Sequence, residues 1–350
     1  MFYRRLIFFL TIFFFFDLHA YQILEIDWSG ETTNEVAYPG KNYNELVRFQ
    51  SWGVGTRSNI VTPYREKKKL DGRDRIYPIE TEYGYILNSK PVLRHYMDCG
   101  DKNQNYRIAD RSEIHIKSTL TDFGIAEGSE LWIGWSESYG YLDKTRPTTI
   151  LQFRNQPTLN ELRARQLESP SSFNWIHGGP ATSISLKPVE GELHYHFEAR
   201  SGMPNKWKIQ PGRSFVLPWH IETKTKYYFI LQIIYSRPKG KPSGRLRVWV
   251  YPEEEYSSEV AITDTPSVDI RGPTMYNWPD SASGEKPYSP EIRWGLYRYN
   301  CKPKNIKPSG KYPRIDESNR IMEKYLGPVK ILPSQHENSF YFVKPNVSDR

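Results

Sequence analysis

The chain contains 350 residues, of which 15% are aromatic and 26 are proline, and it carries a formal net charge of +8. Windows rich in leucine and alanine are scarce, so the composition excludes a mostly helical protein and favours one large β-rich domain. The basic charge favours an acidic partner such as an anionic polysaccharide. The sequence has no helix-turn-helix, zinc-finger or RNA-binding signature, so we predict no nucleic-acid partner.

The first twenty residues have the pattern of a secretory signal. Arg4 and Arg5 precede an apolar run over residues 6–16, and Ala20 marks the expected cleavage point. We predict a signal peptide over 1–20 and a secreted or periplasmic protein, with a retained N-terminal anchor as the alternative. No later stretch approaches the roughly 20 apolar residues of a membrane helix. We therefore expect no membrane contact after cleavage, and a monomer.

Short strand-like segments separated by Gly, Pro, Asn and Asp follow along the rest of the chain. An early strand is expected within 21–28, and further strands are predicted at 85–87, 112–117, 130–136, 148–153, 183–186, 192–199, 227–235, 245–251 and 292–298. Residues 160–167 are the best helix candidate. This spacing is typical of a sandwich or jelly roll. We predict one domain over 21–305, followed by a tail over 306–350 that wraps the surface or is partly disordered.

The chain contains two cysteines, Cys99 and Cys301. In an exported protein they are able to form one disulfide, which would connect the approach to the 112–117 strand with the exit from the 292–298 strand. Two free thiols remain the alternative. Neither cysteine has a metal-ligand spacing to another cysteine or histidine, so we predict no metal site.

Four strand-like segments place polar, reactive side chains at alternate positions. Alternate residues of a strand share one face, so Arg111, Glu113 and His115 are expected to point together, as are Arg293 and Tyr297. The remaining two segments are Leu-Gln-Phe-Arg at 151–154 and Leu-Trp-Ile-Gly-Trp at 131–135. Together they predict a groove lined with guanidinium, amide, imidazole and phenol groups, which suits a charged polymer.

In this order, the motifs resemble those of polysaccharide lyases built on a concanavalin-like jelly roll. The motifs are Arg-Ser-Glu at 111–113, Trp-Ile-Gly-Trp-Ser at 132–136, Leu-Gln-Phe-Arg at 151–154, Gly-Arg-Leu-Arg-Val-Trp-Val at 244–250 and Arg-x-Gly-x-Tyr at 293–297. The chain resembles the heparin lyase I-like and glucuronan lyases and, more distantly, alginate lyases with Arg-Thr-Glu, Gln-x-His and Lys-x-Gly-x-Tyr. The resemblance covers roughly 108–298. It implies two packed antiparallel sheets with a concave groove, and cleavage of a uronate polymer such as glucuronan, alginate or a heparin-like chain by β-elimination.

The chemistry of β-elimination gives these residues roles. A uronate loses its C5 proton only when its carboxylate is neutralised, and amide and guanidinium donors stabilise the developing negative charge. Gln152 and Arg111 are the candidates for this role. The resemblance places Tyr297 as the acid that protonates the departing O4 oxygen, or as both acid and base.

Four further positions are candidates for binding substrate or supporting the site. Arg154 and Arg293 are additional donors that could grip a carboxylate or sulfate. Glu113 is expected to orient its cationic neighbours by salt bridges. Trp135 is a candidate for stacking on a sugar ring, with the core as its other possible location. No cofactor is required by this chemistry, and a structural calcium ion is possible without being indicated.

One position departs from the lyase pattern. Arg154 occupies the place of the histidine in Gln-x-His, and this difference raises the possibility of a lost base. His115 is our candidate to replace it, as base or carboxylate neutraliser, although a histidine merely hydrogen-bonded within the sheet is the alternative. A catalytically weak or inactive carbohydrate-binding jelly roll is therefore the second functional hypothesis.

Overall fold

The computed structural model describes thirteen stretches of the chain. These are residues 24–26, 47–52, 57–61, 92–98, 109–116, 128–154, 180–201, 210–237, 239, 241–275, 291–299, 321–333 and 338–346. The predicted signal peptide, the strand at 85–87, the helix at 160–167 and both cysteines lie outside the described residues, so those expectations stay predictions.

The described residues form two antiparallel sheets. The eight-stranded sheet contains β1 (Leu24–Ile26), β3 (Arg57–Val61), β4 (Val92–Asp98), β6 (Glu130–Tyr141), β11 (Lys226–Ile234), β12 (Arg245–Pro252), β13 (Val268–Arg271) and β15 (Ile321–Pro333). The seven-stranded sheet contains β2 (Val47–Trp52), β5 (Ala109–Ile116), β7 (Thr148–Arg154), β8 (Thr182–Val189), β9 (Glu192–Ser201), β10 (Gln210–Val216) and β14 (Glu291–Tyr299). A short helix, α1 (Ser339–Val343), follows β15.

Strand order explains how distant segments meet. The eight-stranded sheet runs β13-β12-β11-β6-β15-β4-β3, with β1 paired to the C-terminal half of β15, and the seven-stranded sheet runs β10-β9-β8-β7-β14-β5-β2. The prediction of an all-β jelly roll with two packed antiparallel sheets is confirmed. In the part of the chain described, no helix has the length and apolar character needed to cross a bilayer.

The main core lies between the two sheets and follows the two-residue period of the strands. Ile292, Trp294 and Leu296 of β14 are completely buried there. Trp294 packs edge-on against Trp135 of β6, with ring centroids 5.8 Å apart. Because alternate side chains of one strand fill this core, the residues between them are directed to the opposite face of the sheet.

Glu137 is a fully buried carboxylate within this apolar layer. Glu137 of β6 accepts hydrogen bonds from the Tyr139 hydroxyl at 2.5 Å and from the Tyr195 hydroxyl and the Trp135 Nε1 at 3.0 Å each. The Nζ of buried Lys324 lies 2.8 Å from Glu137 Oε2. A charge in such a place is tolerated because it is paired and hydrogen-bonded.

The C-terminal segment differs from the expectation of a surface-wrapping or partly disordered tail over 306–350. Residues 321–333 form β15, which lies inside the eight-stranded sheet between β6 and β4. Most of its side chains are buried, including Leu326, Val329 and Ile331. Sequence reasoning missed this strand because the residues around it are rich in Pro and Lys. Its apolar residues are held in place because β15 pairs with a neighbouring strand on each edge.

A second apolar cluster covers the outer face of the eight-stranded sheet. Trp132 and Trp249 stack there with ring centroids 5.9 Å apart, and Phe340 of α1 packs edge-on against both. A side chain at Gly134 would place its Cβ 1.7 Å from the carbonyl oxygen of Val343, so the helix approaches the sheet backbone directly. The sheet is therefore buried on both faces where α1 lies.

Candidate functional site

Three of the four motif segments come together in the seven-stranded sheet. β14 lies between β7 and β5, and all three run antiparallel to their neighbours. The backbone register places Arg293 between Gln152 and His115, and Tyr297 between Thr149 and Arg111. Alternation and resemblance predicted that these residues line one groove. The strand order brings their three strands side by side.

The fourth motif segment belongs elsewhere. β6 lies in the eight-stranded sheet, and Trp135 is fully buried between the two sheets. Its ring stacks on Phe229 with centroids 4.6 Å apart, and its Nε1 donates to Glu137. The interpretation of Trp135 as a sugar-stacking residue is wrong, because the odd-numbered positions of β6 face the core. The 244–250 motif also lies in this sheet, as β12.

Glu113 and Gln152 form a buried pair at the site. The Gln152 Nε2 donates a hydrogen bond to Glu113 Oε1 at 2.6 Å, and the two side chains are 2% and 1% exposed. The prediction for Glu113 is a salt bridge to cationic neighbours, whereas this bond joins it to a neutral amide. The side chains of Arg111 and His115, its expected partners, lie outside the described residues. Because an amide nitrogen has two donors, Gln152 can hold this bond and still donate to a second acceptor.

Arg293 carries an ion pair on the same face of β14. Its Nε and Nη2 donate to Glu291 Oε2 at 3.0 and 2.6 Å, and its side chain is 15% exposed. Glu291 is also the register partner of Arg154 on β7. Since a guanidinium has five donors, Arg293 retains donors beyond those given to Glu291. Glu291 therefore lies next to both Arg293 on its own strand and Arg154 on the neighbouring strand.

Gly295 explains the middle position of the Arg-x-Gly-x-Tyr motif. Its φ is +142°, and a Cβ at this position would lie 2.0 Å from the carbonyl oxygen of Ser112 and 2.7 Å from the Cα of Glu113. The register of β14 against β7 also shifts between Trp294 and Tyr297, which marks a β-bulge. Only glycine permits this close approach of β14 to the backbone of β5.

A band of hydroxyl groups and a histidine extends the face beyond β7. Thr149, Ser185 and His196 are consecutive register partners on β7, β8 and β9, and the Ser185 hydroxyl donates to Thr149 Oγ1 at 3.2 Å. Burial lowers the pKa of His196. The alternation of Ser183 and Ser185 along β8 was a signal for these residues that motif reasoning did not use.

The described residues contain no group of three or more His, Cys, Asp or Glu side chains placed to hold a metal ion. His194 and His196 share a face of β9, and the His194 Nδ1 lies 2.9 Å from the carbonyl oxygen of Leu217. That contact connects His194 to the backbone after β10.

No protein-family model matches the chain. A search of curated proteins also found no match. Among solved structures, the chain is similar to an endo-β-1,4-glucuronan lyase from the fungus Trichoderma reesei, with 13% identity, coverage of 83% of this chain and 98% of that one, and a TM-score of 0.49.

Two other similar structures have lower scores. An alginate lyase from Pseudomonas aeruginosa is 13% identical over 69% of this chain and 83% of its own, with a TM-score of 0.39. A botulinum neurotoxin serotype D/C binding domain is 9% identical over 91% of this chain and 50% of its own, with a TM-score of 0.38.

Proposed function

We propose that the protein is a polysaccharide lyase that cleaves a uronate-containing anionic polysaccharide by β-elimination. The observation that carries this proposal is the register of β7, β14 and β5, which gathers Gln152, Arg293 and Tyr297 on one face of a sheet with Glu113 buried beside them. An amide, a guanidinium and a phenol are the donors and proton carrier that this reaction needs.

Carboxylate neutralisation is the first requirement of the reaction. In the proposed complex, the uronate carboxylate lies over Gly295 and receives hydrogen bonds from Gln152 and Arg293. Arg111, the register partner of Tyr297, adds a further cation. Glu113 fixes the Gln152 amide so that its second N–H remains available, and this removes the cost of orienting the amide during the reaction.

Proton transfer completes the proposed reaction. A base takes the C5 proton, the C4–O4 bond breaks as the C4–C5 double bond forms, and the departing O4 oxygen receives a proton. We assign the acid to Tyr297, and the base to His115 or to Tyr297 itself, because both positions flank the proposed carboxylate site on β5 and β14. The reaction uses no metal, so chelation should leave the initial rate unchanged.

The test is a panel of uronate polymers that includes glucuronan, alginate, heparin, hyaluronan and pectate. Cleavage by a lyase produces an unsaturated uronate, which is followed by its ultraviolet absorbance. We expect one polymer to give this signal at a rate proportional to enzyme concentration. A protein that binds one of these polymers while producing no unsaturated product from any of them would refute the lyase proposal.

One observation favours a second candidate function. Arg154 replaces the expected histidine of the Gln-x-His motif, and its register partner is the acidic residue Glu291. An arginine remains protonated at all physiological pH values and is a poor base. A carbohydrate-binding jelly roll that retains the groove without turnover is therefore the alternative, and binding without cleavage in the polymer panel would support it.

We further propose that the protein acts outside the cytoplasm as a monomer. The signal-like residues 1–20 support export, and the positive net charge supports attraction of an acidic polymer. Expression with the native N-terminus followed by mass spectrometry would detect cleavage near Ala20. Light scattering of the mature protein would measure its mass, and a mass twice that of one chain would contradict the monomer.

A further inference from the structure

A buried arginine lies directly beside the proposed catalytic tyrosine. Arg298 follows Tyr297 on β14 and points the other way, into the space between the sheets, where its side chain has no exposure. It forms an ion pair with Asp143, and its Nε and Nη2 donate to Thr148 Oγ1 at 2.9 and 2.7 Å. A buried guanidinium requires such partners, because an uncompensated buried charge is strongly destabilising.

These partners connect Arg298 to the start of β7. Asp143 lies in the connection between β6 and β7, and its Oδ1 accepts a hydrogen bond from the backbone N–H of Thr145 at 2.8 Å. Thr148 is the first residue of β7, and the next residue, Thr149, is the register partner of Tyr297. The Arg298 guanidinium therefore joins β14 to β7 at the position of the tyrosine.

The β-bulge in β14 gives this connection its importance. The register between β14 and β7 changes between Trp294 and Tyr297, whereas the pairing of β14 with β5 continues without a shift from Ile292 to Tyr299. Pairing with β5 therefore sets the face of each β14 side chain, while the position of β14 against β7 beyond the bulge depends on other contacts. The bonds from Arg298 to Thr148 fix β14 against β7 at this point.

We propose that Arg298, Asp143 and Thr148 form a positioning unit that fixes the place of the Tyr297 hydroxyl relative to β7 on the site face of the seven-stranded sheet. The catalytic meaning of this unit rests on the proposed lyase function, whereas the placement of Tyr297 is a property of the fold. Arg298 acts through Tyr297 and, since its side chain is fully buried, has no contact with substrate.

The test compares two isosteric threonine variants in the full-length protein. Thr148→Val removes the hydroxyl that accepts from Arg298. Thr182→Val is the matched control, because Thr182 is equally buried in the same sheet and its hydroxyl donates to the Thr274 carbonyl at 3.0 Å. We expect Thr148→Val to lower kcat about 100-fold with little change in KM, as for a small displacement of a catalytic group. Thr182→Val should retain wild-type kcat, and Thr148→Ser should restore it.

A spectroscopic measurement tests the placement independently of activity. In protein labelled with 13C at tyrosine Cζ, the Tyr297 resonance is identified by its loss in Tyr297→Phe. Thr148→Val should move this resonance and its titration midpoint, and Thr182→Val should move neither. If Thr148→Val does not fold, Arg298→Lys supplies the same readouts, since it keeps the charge toward Asp143 and loses the fork toward Thr148.

An unchanged Tyr297 resonance in the folded variant would overturn the proposal. Equal losses of kcat in Thr148→Val and Thr182→Val would also overturn it, because they would indicate a general effect of core perturbation. If the wild-type protein cleaves none of the uronate polymers, the lyase function fails, and the Tyr297 resonance still decides whether the unit positions the tyrosine.

Discussion

The two sheets share one core but differ in the faces they turn away from it. On the eight-stranded sheet, Trp132 and Trp249 are covered by Phe340 of α1, and this outer face is a second apolar core. On the seven-stranded sheet, the corresponding face carries Gln152, Arg293 and other polar side chains arranged across neighbouring strands. Under the proposed function, one outer face contributes stability and the other offers donors to a ligand, since apolar burial stabilises a fold without offering such donors.

Tyr297→Phe tests the site face most severely. Loss of the hydroxyl removes the proposed general acid, so turnover should fall about 100- to 10,000-fold while polymer binding is kept. Initial rates of unsaturated-uronate formation and calorimetric binding measure the two effects. Tyr141→Phe is the control, because Tyr141 is 51% exposed and lies at the end of β6 in the other sheet. Wild-type turnover in Tyr297→Phe would remove the tyrosine from the mechanism.

Glu137→Leu examines the core that both sheets share. The change leaves the fully buried Lys324 without its carboxylate, and we expect the free energy of unfolding to fall by about 3–5 kcal/mol. Urea unfolding measures this loss. Glu192→Gln, which disrupts the exposed ion pair with Lys144, should leave the midpoint unchanged. Combining Glu137→Leu with Lys324→Met should recover most of the stability, and no recovery would contradict the assignment of the loss to an unpaired charge.

Two glycine substitutions compare the outer faces of the two sheets directly. Gly134→Ala places a methyl group against the carbonyl of Val343, and Gly295→Ala places one against the carbonyl of Ser112. Each should cost about 1–3 kcal/mol by overpacking. Only Gly295→Ala should also reduce turnover, because it moves the strand that carries Arg293 and Tyr297. A loss of turnover in Gly134→Ala equal to that in Gly295→Ala would show that the two faces are not functionally separate.

His95 adds a pH dependence of stability that arises between the sheets. Burial, and then the nearby Lys324, lower the pKa of His95 from 6.5 to about 3, and its Nδ1 lies 3.3 Å from the Ser112 hydroxyl. Between these pH values the unfolded chain binds a proton at His95 that the folded protein does not. Stability therefore falls as the pH falls from about 6.5 toward 3, by up to about 1.4 kcal/mol per pH unit.

Urea unfolding of His95→Gln between pH 4 and 7 isolates this contribution. We expect the variant to show a smaller loss of stability toward acid than the wild type. His220→Gln is the control, since the His220 side chain is 51% exposed. Identical slopes for His95→Gln and the wild type would mean that His95 does not titrate differently in the folded and unfolded states.

Local patterns in the sequence were sufficient for several features. Alternation of polar and apolar residues predicted that Arg293 and Tyr297 share one face of a strand and that Trp294 and Leu296 are buried. The scarcity of helix-forming windows and the spacing of turn residues predicted the all-β jelly roll. These predictions succeeded because the two-residue period of a strand is a property of the backbone and needs no knowledge of its partners.

Other features depended on which strands pair. The sequence placed Trp135 and Gln152 together in one set of motifs, whereas the strand order puts Trp135 in the core of the sandwich and Gln152 on the outer face of the other sheet. The sequence pattern also failed to predict β15, because its residues follow a stretch that is rich in Pro and Lys. Sheet membership comes from contacts between residues far apart in the chain, and alternation alone cannot decide which of two faces is the core.

Local sequence patterns were therefore sufficient to predict the fold class, the period of each strand and the chemical groups available for the proposed reaction. The placement of β14 between β7 and β5, the bond from Gln152 to Glu113 and the contact of Arg298 with Thr148 became visible in the folded protein alone. The physical reason is that side-chain direction is set locally by the backbone, whereas the neighbour that a side chain meets is set by long-range strand pairing and by the burial of one shared core.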